Sequence, residues 1–232
     1  MRRWCLLLLA SSLLISGGCG RVSYNKRLEA TLERKKRERR IEANLSPAPT
    51  GDKRFADLAI YVRPPKDQAP AKTALIQVPE GQYDLDASFV DPKVDSKLHM
   101  LARVKLPKKP LAKGAPPPPP PVARGDFPRD VLAILASEFG QVEGLTNPKF
   151  VDESKRGNRF KRLVVVANDK EVKLYTYKQD NHEVALIFVY DAKLRGALSN
   201  KIDLCLETFA TGAKAARGGA AEEEEVGPAV PM

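Results

Sequence analysis

Nucleophiles and metal ligands are scarce in this chain, which holds two His, three Cys and one Trp in 232 residues. His99 alternates onto the outer face of an expected strand and His182 falls at an expected hairpin turn, so nothing in the sequence brings the two together. There is no CxxC pair, no serine nucleophile elbow, no HExxH, no Walker loop and no GxGxxG. Asp84, Asp86, Asp91 and Asp95 gather loosely in one segment, but a Ca²⁺ loop needs tighter carboxylate spacing and a turn glycine. Arg103, Lys105 and Lys173 read as solubilising charges on strand faces. The sequence assigns no catalytic residue, no metal site and no cofactor, and the chain reads as something other than an enzyme.

The one side chain placed for covalent chemistry is Cys19. Arg2 and Arg3 open the chain, Leu6 to Ile15 form an apolar run, and Ser16, Gly17 and Gly18 supply small residues. That run is about half the roughly 20 residues a spanning helix needs. The segment Ile15-Ser16-Gly17-Gly18-Cys19 resembles the lipobox of a bacterial lipoprotein precursor, with Ser16 where that family usually carries Leu. The resemblance implies cleavage before Cys19 and diacylation of its sulfur. The alternative is an ordinary secretory signal that contains a Cys. Cleavage would leave 232 − 18 = 214 residues, and loss of Arg2 and Arg3 would lower the net charge from +10 to +8. Cys205 would then have no disulfide partner.

Residues 21–43 carry nine basic and four acidic residues, a net +5, with no Pro or Gly. Helix formers dominate, and the spacing predicts a solvated helical stalk, about 33 Å long over its 22 inter-residue steps. Arg34, Lys35, Lys36, Arg37, Arg39 and Arg40 are the candidate membrane-surface residues. Anionic lipid head groups attract such cations by about 1 kcal/mol each, and one lipid chain plus a polybasic stretch makes a two-signal anchor. The bland alternative is a charged spacer. No aromatic residues interleave with the cations to stack bases, so nucleic acid is not an expected partner. Ser46-Pro47-Ala48-Pro49-Thr50-Gly51 is expected to end the helix and hinge into the folded part.

The expected fold class is α+β, a mainly antiparallel sheet with two packed helices, preceded by the stalk. The expected division is a signal peptide over 1–18, anchor and stalk over 19–52, one domain over 53–213 and an acidic, disordered tail over 214–232. Strands are expected at 54–63, 74–78, weakly at 83–90, and at 97–106. In the last, Leu98, Met100, Ala102, Val104 and Leu106 face a core, while His99, Leu101, Arg103 and Lys105 form a largely polar outer face. Pro107 to Arg124, with six consecutive Pro at 116–121, reads as a stiff loop or an interdomain spacer, with a groove ligand as the alternative. Asp126 is expected to cap a helix over 127–139 that stops at Gly140. A meander follows, with strands at 162–167, 171–178 and 183–190 and turns at Asn168-Asp169 and Asp180-Asn181. The apolar run Glu183–Tyr190 is expected at the centre of the sheet, covered on both faces. A last helix is expected to begin near Ser199 or Asn200 and to bury Leu198, Ile202, Cys205, Leu206 and Phe209.

EVALIFVYD (183–191) followed by SNKIDLCLETF (199–209) resembles the end of the PsbP-like α/β fold. That resemblance implies a non-enzymatic accessory or assembly role and transfers no binding residue. The expected function is therefore a lipid-anchored binding or assembly module of the cell envelope. It would sit on the cell membrane or outer membrane, with an unidentified protein partner. The alternative is an envelope enzyme with an unrecognised active site.

Overall fold

The computed structural model describes residues 19–49, 51–71, 76–105 and 124–217. The expected signal peptide over 1–18, the six-Pro run and the Glu222–Glu225 block lie outside the described residues. The chain divides into two compact units, Met1–Ala43 and Asn44–Met232. The first contains nearly all of α1 (Cys19–Asn44), an unbroken helix over the basic segment.

The second unit opens with chain that is stitched down. Leu45 bridges Pro65, and Ser46 donates its N–H to Pro64 O at 2.8 Å and its hydroxyl to Pro65 O and Gln68 O. The expected hinge is therefore held to residues 64–68. The next expectation also changes. Residues 54–63 do not form a strand: Asp52 accepts from the Arg54 N–H and caps α2 (Lys53–Asp57), leaving only β1 (Ile60–Tyr61) extended. The capping carboxylate outweighs the apolar alternation of the segment.

β2 (Ala69–Pro70), β3 (Leu85–Asp91) and β4 (Ser96–Val104) follow. After the segment 106–123 come α3 (Phe127–Phe139) and the one-turn α4 (Glu143–Thr146). Asp126 caps α3 as expected, and Gly140 ends it at φ 84°, a left-handed conformation that favours Gly. β5 (Val151–Lys155), β6 (Asn158–Ala167), β7 (Lys170–Gln179) and β8 (His182–Asp191) then form a meander. The hairpin β5–β6 is an addition to the expected strands; Arg156 and Gly157, both at positive φ, make its two-residue turn. Asn168-Asp169 makes the next turn in the same way. A 3₁₀ turn (Ala192–Leu194) leads into α5 (Arg195–Thr208), then β9 (Ala210–Thr211) and α6 (Ala213–Ala216). α5 thus starts ahead of Ser199, because Asp191 accepts from Lys193 N and starts the turn before it.

The strands make one antiparallel seven-stranded sheet in the order β2-β3-β4-β8-β7-β6-β5, with β1 and β9 paired separately. β8 is the fourth of seven, at the centre. Its apolar run is explained by cover on both faces. On one face α3 buries Phe127, Val131, Ile134 and Leu135 against Leu101, Ala185, Ile187, Leu174 and Val172. Each such side chain contributes about 1.5–3 kcal/mol. On the other face α5 buries Leu198, Ile202, Cys205 and Leu206. Phe209 stacks there with Phe160 and Tyr177, at 5.9 and 5.0 Å between ring centres. The architecture is α+β, with the two expected helices packed on opposite faces.

Candidate functional site

α1 places the six candidate cations over two turns. At about 100° per residue, Arg34, Lys35, Lys36, Arg37, Arg39 and Arg40 surround the helix and do not line one side. Carboxylates between them take up some of the charge: Lys36 lies 2.7 Å from Glu33 and Arg34 3.8 Å from Glu38. The Glu33 carboxylate raises the Lys36 ammonium above its ordinary value. Cys19 is the first residue of this helix. No described helix is long and apolar enough to cross a membrane.

The polar residues of β3 and β4 sit in a different setting. His99 lies on the sheet face that carries the α3 core cluster and is 1% exposed, so the expectation of a solvated outer face is corrected. Ser88 stands directly opposite on β3, its hydroxyl 2.6 Å from His99 Nδ1. Asp86, two residues along the same face, holds Oδ1 3.4 Å from His99 Nε2, which has no hydrogen-bond partner. Burial lowers the imidazole to about 4. Burial also pushes the Asp86 carboxyl up, against the pull of Arg54. Ser, His and Asp in a row are the residue types of a hydrolytic triad. Here, however, the base is a buried imidazole, held neutral and closed off from solvent.

Arg103, four residues further along β4 on the same face, is not a solubilising charge. It is 4% exposed. Nε donates to Gln82 O at 3.0 Å, Nη1 to Gly125 O at 3.0 Å and Nη2 to Asp130 Oδ2 at 2.6 Å. The guanidinium lies 4.7 Å from the Tyr83 ring centre and 5.4 Å from that of Phe127. Gly125 is required by close approach, since a Cβ there would stand 2.9 Å from Asp130 Oδ1. Asp84 works beside it. Its Oδ2 accepts from Val104 N at 2.7 Å, and both carboxylate oxygens accept from Arg124 at 2.7 and 2.8 Å. Burial would raise this carboxyl, but Arg124 and the Val104 N–H outweigh it and hold it below the usual range. The chain therefore leaves β4 and returns at Arg124 beside one carboxylate, which brackets the Pro-rich segment.

The other acidic candidates are structural too. Asp91 accepts from Lys93 N, and Asp95 pairs with Lys97 and Lys170. His182 lies on the opposite face from His99, its Nε2 2.9 Å from Leu58 O. Lys173 is half-sequestered, 3.4 Å from buried Glu171 and 5.7 Å from the Tyr190 ring centre. Lys105 is exposed. Among the described residues no group of three or more His, Cys, Asp or Glu is placed to hold a metal. An open cleft is lined by Asp152, Glu153, Ser154, Arg159 and Phe160 on the β5–β6 hairpin, and none of the candidate site residues lines it.

Beyond Arg162 the outer edge of β6 has no strand partner among the described residues. Ala167 and Lys170 close a two-residue turn, so Ala167, Val165 and Leu163 bond β7, and Val164 and Val166 point their N–H and C=O to the open edge. Their side chains, 41% and 53% exposed, share one face. Periodicity marked 162–167 as a strand; only the pairing register shows that this end is open. Sequence reading missed Asp84, Arg103, Arg124 and Asp130 as a unit, because their partners lie 20 to 40 residues apart. The one visible signal was an Arg set between the apolar Ala102 and Val104 of β4.

No family model matches the sequence, and no curated protein matches it. Among solved structures, the solution structure of cyanobacterial PsbP (CyanoP) from Synechocystis sp. PCC 6803 is similar with a TM-score of 0.40 at 10% identity, covering 67% of this chain and 88% of that one. A crystal structure from Bacteroides thetaiotaomicron VPI-5482 is similar with a TM-score of 0.37 at 10% identity, covering 66% of this chain and 45% of the other. The chain thus has a weak structural similarity to PsbP. Neither likeness assigns an activity to it.

Proposed function

We propose that this chain is a lipid-anchored protein of the cell envelope that acts as a non-enzymatic binding or assembly module. The observation that carries the reading is the run Ile15–Cys19, whose acylatable Cys stands directly at the head of the basic helix α1. Acylation at Cys19 and the cations of 34–40 are the two signals of a stable surface anchor. The body then presents an open strand edge with Val164 and Val166 exposed, a surface suited to an extended segment of a protein partner.

The alternative, an envelope enzyme, has the Ser88-His99-Asp86 row in its favour. Against it, the Ser88 hydroxyl is buried and His99 is a weak base at about 4. Mass spectrometry of the mature N-terminus in the native host tests the proposal. A diacylglyceryl group on Cys19 is the expected result; a free terminus or an intact Met1 sinks it. Covalent labelling of Ser88 by a fluorophosphonate would turn the reading to the enzyme.

A further inference from the structure

The phase of α1 separates its cations into two groups. Tyr24, Leu28, Leu32, Lys35 and Arg39 follow spacings of four, four, three and four, so they fall in one sector about 80° wide. Tyr24, Leu28 and Leu32 are 64%, 46% and 48% exposed. Glu29, Glu33 and Glu38 fall outside that sector, and Glu42 enters it only past Arg39. The carboxylates that pair with Lys36 and Arg34 lie off it as well. Lys35 and Arg39 make no ion pair among the described residues. From Tyr24 onward that sector is therefore graded: Tyr24, Leu28 and Leu32 come first and the cations Lys35 and Arg39 follow.

We infer that this sector is the surface α1 lays against an anionic lipid bilayer. The inference rests on the anchored reading above and deepens it. Charge complementarity selects the occupant, since two cations without carboxylate partners match lipid phosphates. The apolar side chains lie where a chain tethered at Cys19 is held closest to the bilayer. Tyr24 is about 8 Å along the axis from Cys19 and Arg39 about 30 Å. A helix standing upright would bring only its first turn into the interface. Lying down, it places Tyr24, Leu28 and Leu32 between head groups and lets Lys35 and Arg39 reach phosphates on their long stems.

The test uses the chain from residue 19 to 232 with Cys19→Ser, so that no lipid chain contributes. That chain has no Trp, because the sole one is Trp4, and Tyr24→Trp gives a single reporter. With vesicles of phosphatidylcholine and phosphatidylglycerol, its emission should shift to the blue, and it should not with phosphatidylcholine alone. Lys35→Gln with Arg39→Gln should weaken binding about 30-fold, from about 1 kcal/mol per cation. Arg34→Gln with Arg37→Gln removes the same charge off the sector and should weaken it less than about threefold. Equal losses from the two pairs would overturn the sector and leave the anchor standing. Equal binding to neutral vesicles, or none to anionic ones, would also overturn it; the N-terminal mass decides the anchor separately. A concentration-dependent dimer abolished by Leu28→Asn with Leu32→Asn would assign the stripe to a second copy of the chain instead.

Discussion

His99 and Arg103 stand four residues apart on one face of β4, both removed from water, and the sheet treats them in opposite ways. Three hydrogen bonds and two aromatic rings replace the hydration of the Arg103 guanidinium. His99 has one good hydrogen bond, to Ser88, and an Nε2 without one. It survives burial by being neutral. A buried ionisable group needs either a full set of partners or a route to losing its charge, and this strand uses both. The contrast also follows the chain. Arg103 joins residues 82, 125 and 130, ordering the return after the Pro-rich segment, whereas His99 joins only its neighbouring strand.

The strongest way to break the comparison is to remove β4 altogether. Residues 124–217 expressed alone would leave the β8 edge unpaired and lose both polar sites. No cooperative unfolding transition is expected for this fragment; a sharp, monomeric one would show that the sheet after residue 124 stands by itself. Conversely, a protease cut between 106 and 123 should leave the two pieces associated through β4 and β8.

Next in size is Arg103→Leu, which strands the Asp130 carboxylate and the Gln82 and Gly125 carbonyls. A loss of about 3 kcal/mol in urea unfolding is expected, and Arg103→Lys should recover little of it, since an ammonium cannot reproduce the fork. A loss under about 1 kcal/mol would mean that the clamp is incidental.

The His99 side of the comparison is read by pH. Its folded value, about 4, lies below the ordinary 6.5. Between those values the folded state binds fewer protons than the unfolded chain, so stability is lost as pH falls from about 6.5 to 4. The slope is about 1.4 kcal/mol per unit, for a total of about 3 kcal/mol. Asp86, held up by burial, works with the opposite sign just above its ordinary value of 3.8. His99→Phe should flatten the slope above pH 5; an unchanged slope would assign the acid loss to other groups.

Cys205 is the neutral limit of the same rule. Burial pushes its thiol up to about 12, so it never needs a charged partner. Cys205→Ser should cost about 1–3 kcal/mol through an unassured hydroxyl, and thiol reagents should reach it only after unfolding. Rapid labelling of the native protein would contradict this. The smallest effect belongs to Asp84→Asn, about 1 kcal/mol, since Arg124 remains partly exposed to water.

Elements set by local spacing were legible. The stripe of 127–139 with Asp126 and Gly140, the two-residue turn at 168–169 and the double-sided run of β8 all announce themselves within a dozen residues. What escaped was set at longer range. Residues 54–63 alternate like a strand, yet the Asp52 cap and the strands available nearby decide against it. The outer face of β4 looked solvated because α3, which packs on that face against Leu101, follows only after the Pro-rich segment. Arg103 looked like a surface charge because its carboxylate partner is 27 residues away. Periodicity reports which side chains want burial; it does not report which polar group waits on the far side of a loop.

The strand order carries a consequence for timing. β8, at the middle of the sheet, is made of residues 182–191, and β4 has no inner neighbour until it arrives. A chain emerging from the ribosome or a translocation pore, N-terminus first, must hold β3 and β4 open while about 80 further residues appear. Its first half is thus a waiting template, and the last of the seven strands to emerge is the keystone that converts two open ribbons into one sheet.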